Sequence, residues 1–161
     1  MIRKYSHKDK SKVIDLLKLN IPKYFDYSEK SEYENYLENE VEDYFVVEED
    51  AKIIGAGGIN YFAKERIARI SWDIISPNSQ GKGVGKELTE YRIKYLNENP
   101  AVEYIVVRTS QLVYRFYEKL GFKLEKIEKD FWAKNFDLYQ MKLKNNNEMA
   151  TTCKNNKGFS A

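Results

Sequence analysis

The sequence is poor in the residues that form disulfides and bind metals, with one cysteine and one histidine among 161 residues. A single cysteine cannot form an internal disulfide, and Cys153 lies in a polar stretch with no cluster of other metal-binding side chains. We therefore predict no disulfide framework and no metal site. The one histidine, His7, lies at the edge of the first predicted helix, and we expect it to be exposed rather than catalytic.

Long apolar runs and a strong charge of one sign are also missing. No apolar run approaches the ~18 residues of a membrane-spanning helix, and residues 1–8 lack the apolar centre of a secretion signal. With 27 basic and 25 acidic residues the net charge is +2, which gives no broad basic surface for nucleic acid. We therefore expect a cytoplasmic protein that binds neither membranes nor nucleic acid.

The sequence does contain enough apolar material for one core, because 42% of the residues are hydrophobic and 14% are aromatic. These proportions predict a single domain over residues 1–144. Residues 145–161 are rich in asparagine and have too few apolar side chains to bury, so we expect them to form a disordered tail.

Short apolar runs and helix-like periodicities alternate along the predicted domain. Runs of β-branched and aromatic residues predict strands at residues 2–5, 44–47, 52–62, 67–75, 104–108, 122–124 and 138–143. Apolar residues at three- and four-residue spacing predict helices near residues 13–21, 29–40, 84–98 and 111–120. The first strands are expected to be antiparallel, whereas the helix between the fourth and fifth strands predicts that those two are parallel.

A glycine-rich stretch, residues 80–86 (Gln-Gly-Lys-Gly-Val-Gly-Lys), joins the fourth predicted strand to a predicted helix. The N-terminus of a helix leaves backbone N–H groups without partners and carries a partial positive charge, so the main chain there can bind a phosphate. Gly81, Gly83 and Gly85 would let a phosphate approach the backbone closely. The stretch predicts a phosphate site, although a turn with a purely structural role would give the same pattern.

Two common phosphate motifs do not fit this stretch. A P-loop needs serine or threonine after its Gly-Lys pair, and Gly85-Lys86 is followed by Glu87. The dinucleotide fingerprint needs its third glycine at position 86, which is lysine. These residues by themselves therefore leave open which phosphate compound binds.

Two motifs at their expected places resemble one family. Residues 80–85 match the pattern Gln/Arg-x-x-Gly-x-Gly/Ala, and residues 116–122, Phe-Tyr-Glu-Lys-Leu-Gly-Phe, follow a buried strand. With the order of strands and helices, they resemble the GNAT superfamily of acyl-CoA-dependent N-acyltransferases over residues 1–143. The resemblance implies an α/β (α+β) fold with a mixed, twisted sheet of about six to seven strands, about four flanking helices and two parallel strands that splay apart around the cofactor.

The resemblance also implies a reaction, the direct transfer of the acetyl group of acetyl-CoA to a primary amine of a small molecule or peptide. Acetyl-CoA is the implied co-substrate, and the reaction needs no metal. The implied binding residues lie at the end of the fourth strand, in the glycine turn and around the fifth strand: Ile74, Ile75, Ser76, Gln80, Gly81, Lys82, Gly83, Val84, Gly85, Lys86, Ser110 and Phe116. A backbone N–H at Ile75 or its neighbour is the implied donor to the oxyanion.

Attack of an amine on a thioester requires an acid for the departing thiolate and a base for the amine. Tyr117 matches the tyrosine of the second motif and is implied as the general acid, although a core aromatic would look the same. The glutamate that family members often use as base is replaced here by Arg69, so that role does not carry over.

Asp73 is the carboxylate nearest to that position and is the candidate base. On a regular strand it would face the same side as Arg69, whereas a bulge would change this count. A structural or substrate-binding role for Asp73 stays open, and so does deprotonation of the amine through an ordered water.

The acceptor is the least defined part of the prediction. Residues 24–40 are rich in tyrosine and carboxylate and occupy the region that shapes the acceptor site in the family, which predicts a cationic amine. A solvated helix face would show the same composition. A non-catalytic acyl-CoA sensor and a nucleotide-binding protein without acyl chemistry are the alternative functions, and monomer and homodimer both stay open.

Overall fold

The computed structural model describes residues 1–147, which form seven strands and four α-helices. The strands are β1 (Ile2–Lys4), β2 (Asp43–Glu49), β3 (Lys52–Phe62), β4 (Ile67–Ile75), β5 (Tyr104–Thr109), β6 (Lys123–Ala133) and β7 (Phe136–Lys144). The helices are α1 (Lys10–Leu19), α2 (Glu29–Asn39), α3 (Val84–Asn97) and α4 (Tyr114–Lys119).

All seven strands belong to one sheet in the order β1-β2-β3-β4-β5-β7-β6. Neighbouring strands are antiparallel except β4 and β5, which are parallel and are connected by α3. This arrangement confirms the predicted mixed α/β sheet with its single parallel pair. The antiparallel pairs are joined by short turns or by helices that pack on the sheet, as expected for strands that follow one another in the chain.

Each face of the sheet is covered by one pair of helices. On one face, Leu88 and Leu96 of α3 and Tyr117 of α4 pack with strand residues such as Ile70 and Val107. On the other face, apolar residues of α1 and α2 pack with strand residues that include Tyr44, Val46, Ala56 and Ile74. The two cores are thus separated by the sheet, and any site that opens through the sheet can be reached from both sides.

The parallel strands β4 and β5 are paired for only part of their length. Their register runs from Ile67 opposite Tyr104 to Ile70 opposite Val107 and then stops. Beyond that point β4 continues against β3, and β5 continues against β7. A gap therefore opens between the C-terminal ends of β4 and β5, where ligands of open α/β sheets commonly bind.

A bulge in β4 lies beside this gap. Ser71 is opposite Gly58 and Ile74 is opposite Ala56, so Trp72 and Asp73 together face one residue of β3. Trp72 has φ of 51°, in the left-handed region. An extra residue reverses the alternation of side chains along a strand. Asp73 therefore points to the face covered by α3 and α4.

Arg69 points to the opposite face. Its neighbours in the chain, Ala68 and Ile70, belong to the core beneath α3 and α4. Arg69 must then project toward the side of α1 and α2. The prediction that Asp73 and Arg69 share a face was made for a regular strand, and it is wrong because of the bulge.

The C-terminal part of the domain differs from the prediction in two places. The helix predicted at residues 111–120 spans only Tyr114–Lys119, and Leu112 is exposed. The strands predicted at residues 122–124 and 138–143 form a longer hairpin, because β6 continues to Ala133 and β7 begins at Phe136. The first nine residues of β6 are exposed and carry many charges, so no apolar alternation marks them as a strand.

Asn145, predicted as the first residue of the tail, is buried at the end of the fold. Its side-chain amide donates hydrogen bonds to the carbonyl oxygens of Leu96 (2.7 Å) and Val102 (3.0 Å). Asn145 thus packs against the end of α3 and the segment before β5. The rest of the predicted tail, residues 148–161, lies outside the described residues.

Candidate active site

The gap between β4 and β5 opens into a cavity of about 670 Å³. Its walls come from the bulged end of β4, the glycine turn, the end of β5, helix α4 and the segment between α1 and α2. Of the predicted site residues, the cavity is lined by Asp73, Ile75, Gln80, Gly81, Gly83, Val84, Gly85, Lys86, Ser110, Phe116 and Tyr117. One cavity therefore brings together most of the residues that the two sequence motifs predicted.

Three of the residues predicted to bind the cofactor do not line the cavity. The Ile74 side chain is buried in the core beneath α1 and α2, and Ser76 is buried with its N–H bonded to the carbonyl oxygen of Ile54 (2.8 Å). Lys82 is exposed and does not line the cavity. His7 is exposed, as predicted.

The glycine turn ends at the first residue of α3, as the sequence predicted. Gly81 and Gly83 have φ of 78° and 83°, a region that side chains disfavour, and no atom lies within 4 Å of where a Cβ would stand on either residue. Gly83 caps α3, whose first backbone N–H groups have no partner within the helix. The turn thus presents open backbone and a positive helix end to the cavity, which suits a phosphate group.

The backbone N–H of Ile75 faces the gap. Backbone groups of successive strand residues point to opposite neighbours, and the Ser76 N–H is used by β3. The Ile75 carbonyl oxygen points the same way as its N–H and accepts a hydrogen bond from the Asn20 side chain (3.1 Å). Ile75 is therefore placed to offer a backbone donor to a group in the cavity.

Asn20 is a site residue that the sequence did not reveal. It follows α1, is buried, and donates hydrogen bonds to the carbonyl oxygens of Leu16 (3.0 Å) and Ile75 (3.1 Å). Its own Oδ1 accepts a hydrogen bond from the Gln80 side chain (3.4 Å). Asn20 thus ties the end of α1 to the end of β4 and to the glycine turn that follows it. An asparagine after a helix is usually read as a cap, so its partner on a distant strand was not predictable.

Tyr117 and Asp73 meet inside the cavity. The Tyr117 hydroxyl donates a hydrogen bond to Oδ2 of Asp73. The Tyr117 residue is 3% exposed, whereas 18% of the Asp73 side chain is exposed. Burial, and then the negative charge of Asp73, raise the pKa of Tyr117 well above its usual value. Tyr117 therefore keeps its proton over the whole physiological range.

The other oxygen of Asp73 is held by a buried arginine. Nη1 of Arg92, on α3, lies 2.5 Å from Oδ1 of Asp73, and the Arg92 side chain is 0% exposed. The guanidinium also donates hydrogen bonds to the carbonyl oxygens of Leu88 (3.2 Å) and Gly58 (3.1 Å). A fully buried arginine needs such partners, because an unpaired charge in the core is costly. Helical spacing places Arg92 on the same side of α3 as Leu88 and Leu96, but it does not identify Asp73 as the partner.

Gly57 makes room for this ion pair. A Cβ on Gly57 would lie 2.5 Å from Oδ1 of Asp73 and 2.8 Å from Nη1 of Arg92, closer than nonbonded atoms can approach. The bulge, the glycine opposite it and the buried arginine thus form one arrangement that sets the position of Asp73.

The wall toward α1 and α2 combines aromatic residues with one carboxylate. Phe25 stacks on Trp72 with ring centres 6.2 Å apart, and Glu29 is buried beside them. Burial raises the pKa of Glu29 to about 7, against a hydrogen bond from the Asp26 N–H that lowers it. The other carboxylates of this segment, such as Glu34, which pairs with Lys30 at 3.2 Å, lie outside the cavity.

Within residues 1–147, none of the helices has the length and apolar character needed to cross a membrane. In the same part of the chain, no three side chains of His, Cys, Asp or Glu come together in an arrangement that could hold a metal ion.

Comparison with known proteins agrees with this architecture. The family model described as an acetyltransferase (GNAT) domain matches residues 10–145, so the chain belongs to the GNAT acetyltransferase family. It is an acyltransferase, in agreement with the two motifs. No curated protein matches the sequence significantly.

Solved structures with low sequence identity share the fold. A GNAT-family acetyltransferase structure from Desulfovibrio desulfuricans is 19% identical with a TM-score of 0.75, and the match covers 89% of this chain and 98% of that one. The ribosomal-protein-S18-alanine N-acetyltransferase of Escherichia coli is 19% identical with a TM-score of 0.75, over 90% and 93% of the chains. An aminoglycoside 6'-N-acetyltransferase complexed with coenzyme A is 17% identical with a TM-score of 0.72, over 89% and 96%.

Proposed function

We propose that the protein transfers the acetyl group of acetyl-CoA directly to a primary amine of a small molecule or peptide. The observation that carries this proposal is the single cavity that joins the glycine turn, the free edge of β4 at Ile75 and the Tyr117–Asp73 pair. The reaction needs these three parts: a binding site for the phosphates of acetyl-CoA, a hydrogen-bond donor to the oxyanion and an acid for the leaving group.

The residues around the gap fit coenzyme A. The open backbone of Gly81 and Gly83 and the N-terminus of α3 would hold its pyrophosphate, and Lys86 lies at the cavity wall beside them. The unpaired edges of β4 and β5 would lie along its pantetheine arm. The aminoglycoside acetyltransferase with the same fold is a coenzyme A complex, which supports the assignment.

Tyr117 is the proposed general acid. The amine bonds to the carbonyl carbon of the thioester, the carbon–sulfur bond breaks, and the thiolate takes the Tyr117 proton. In the resting structure that proton points to Asp73, so the hydroxyl must turn about its C–O bond to reach the sulfur. Its raised pKa keeps Tyr117 protonated, so that the proton is present when the thiolate departs.

Asp73 is proposed to position Tyr117 and to take part in removing the amine proton. Both its oxygens are engaged, one by Tyr117 and one by Arg92. The exposed part of its side chain faces the cavity, so a water between amine and carboxylate could carry the proton.

The proposal is tested by measuring coenzyme A release from acetyl-CoA with a panel of small primary amines and peptides. We expect release that depends on the amine and is accompanied by N-acetylated product. Tight binding of acetyl-CoA with no turnover on any amine would instead support the non-catalytic sensor. Tight binding of ATP without binding of coenzyme A would support the nucleotide alternative.

A further inference from the structure

Two arginines line the cavity on the side away from the glycine turn. Arg69 lies on β4 and Arg108 lies on β5, and both are half-buried. Arg69 of β4 is opposite Val106 of β5. Arg108 lies on β5, two residues after Val106. Side chains two residues apart share a face, so the two guanidiniums are diagonal neighbours on one side of the sheet.

Neither guanidinium has a hydrogen-bonded or ion-paired partner within residues 1–147. Cζ of Arg69 lies over the ring of Phe62, 4.3 Å from its centre, and Cζ of Arg108 lies over the ring of Phe131, 4.8 Å from its centre. A cation–π contact draws on the charge of the guanidinium and gives its N–H donors no hydrogen-bond acceptor. The negative charge of Glu40 acts on Arg69 and that of Glu128 on Arg108, and each offsets part of the cost of burial without forming an ion pair.

The other charged side chains of the cavity are already compensated. Asp73 is paired with Arg92, and Lys86 lies 4.0 Å from Glu90. Glu29 is buried with a pKa raised to about 7, so much of it is neutral near that pH. The excess charge of the cavity is therefore positive and comes from Arg69 and Arg108. Burial lowers the pKa of each arginine, and the charge of Arg108 lowers the pKa of Arg69 further. Both shifts show that leaving these charges unpaired is costly.

The pyrophosphate of coenzyme A cannot be the anion that they bind. It would lie at the N-terminus of α3, which follows the C-terminal end of β4. Arg69 is near the other end of β4: it is opposite Asn60 and Ile75 is opposite Gly55, so the two positions are five β3 residues, or roughly 17 Å, apart. The two positive regions are therefore at opposite ends of the gap.

We propose that Arg69 and Arg108 bind an anionic group, a carboxylate or phosphoryl group, carried by the acceptor amine. The proposal rests on the proposed function and names its acceptor class: small primary amines with an acidic group, such as amino acids. Arg108 is level with Ser71, where the strands part. Ser71 is opposite Gly58 and Ile75 is opposite Gly55, so about 10 Å of strand separates this level from Ile75. Because an arginine side chain spans part of that distance, only a few bonds can separate amine and anion. This acceptor is zwitterionic, which differs from the cationic amine predicted from residues 24–40.

The test compares matched pairs of acceptors at saturating acetyl-CoA. Amino acids of increasing amine-to-carboxylate spacing are each measured beside their primary amide, and aminoalkylphosphonates are included to distinguish phosphoryl from carboxylate. We expect one acid to exceed its amide in kcat/KM by about tenfold to a hundredfold, mainly through KM, as for hydrogen bonds to charged groups. R69Q and R108Q should each remove most of this preference, and R69K should retain part of it.

The exposed Arg115 on α4 provides the matched control, because it lies outside the cavity. R115Q should leave both rates unchanged. An amide that is used as well as its acid, or a preference that survives in the R69Q/R108Q double variant, would overturn the proposal.

Binding distinguishes failure of this proposal from failure of the proposed function. The coenzyme A-loaded protein is titrated with the N-acetylated acids and N-acetylated amides, following the fluorescence of the cavity tryptophans Trp72 and Trp132. Tighter binding of the acids that is lost in the double variant supports the anion site even if no amine is acetylated. Equal binding of acids and amides contradicts it even if simple amines are acetylated.

Discussion

The Tyr117 hydroxyl donates a hydrogen bond to the Asp73 carboxylate and so joins α4 to the bulge of β4 inside the cavity. This contact links the two motifs found in the sequence, since Tyr117 belongs to the second and Asp73 to the strand that precedes the first. Behind it, Arg92 fixes the other carboxylate oxygen. The position of the proposed acid therefore depends on a buried ion pair.

Replacing Tyr117 by phenylalanine should remove the proposed acid without changing the shape of the cavity. We expect kcat to fall by about 10²- to 10⁴-fold, with coenzyme A bound nearly as tightly as before. Steady-state kinetics and a binding titration check the two parts. Tyr114→Phe is the control on the same helix, because Tyr114 packs on Tyr139 outside the cavity. An unchanged kcat in Tyr117→Phe would remove this residue from its role.

Replacing Arg92 by methionine should leave the Asp73 charge without its partner. Breaking a buried pair from one side costs about 3–5 kcal/mol. Because the Asp73 side chain is partly exposed, we expect a loss of unfolding free energy toward the lower figure, measured by urea denaturation. Adding Asp73→Asn to the variant should restore part of the loss. Arg115→Met, at an exposed position, is the control and should change the free energy of unfolding by less than about 0.5 kcal/mol. A change as small as this in Arg92→Met would show that the ion pair with Asp73 does not stabilise the fold.

Gly57 and Gly85 should respond in opposite ways to replacement by alanine. At Gly57 the new methyl group would overlap Asp73 and Arg92, and we expect a loss of about 1–3 kcal/mol together with a lower kcat. At Gly85 the nearest atom, on Phe116, would be 3.4 Å away, and alanine favours the helix by up to about 1 kcal/mol. Thermal unfolding of both variants tests this contrast. Equal unfolding temperatures for the two variants would contradict it.

Glu29 should make stability depend on pH. Its folded pKa, about 7, lies above the unfolded value of 4.5, so its stabilising contribution is complete below pH 4.5 and is lost as the pH rises through 7. The loss amounts to at most about 3 kcal/mol. Glu29→Gln lacks this titration while keeping an acceptor for the Asp26 N–H. We expect its stability relative to the native protein to increase between pH 4.5 and pH 8 in urea denaturation. A constant difference would show that burial of Glu29 does not perturb its titration.

The parts of the site that follow local rules were predictable from the sequence. The strand, the glycine turn and the first turn of α3 are encoded by neighbouring residues, and their places at residues 67–75 and 80–86 agree with the structure. The helix that carries Tyr117 and the positive φ of Gly121 after it follow from the second motif in the same way.

The parts that depend on contacts between distant segments were not predictable. The bulge at Trp72 changes the side to which Asp73 points, and nothing in the alternation of β4 signals an extra residue. Arg92 lies four residues after Leu88 and four before Leu96, on the apolar side of α3, but nothing in the helix identifies Asp73 of β4 as the partner that allows its charge to be buried. Asn20 acts through a strand that lies 55 residues further along the chain.

The central claim is that acetyl-CoA and the amine occupy one cavity together and that the acetyl group passes directly between them. The most direct test is an initial-rate grid in which both substrates are varied, combined with the intact mass of protein incubated with acetyl-CoA alone. We predict intersecting double-reciprocal lines and an unmodified protein mass. Parallel lines with a protein heavier by one acetyl group would indicate a covalent intermediate and would contradict the claim.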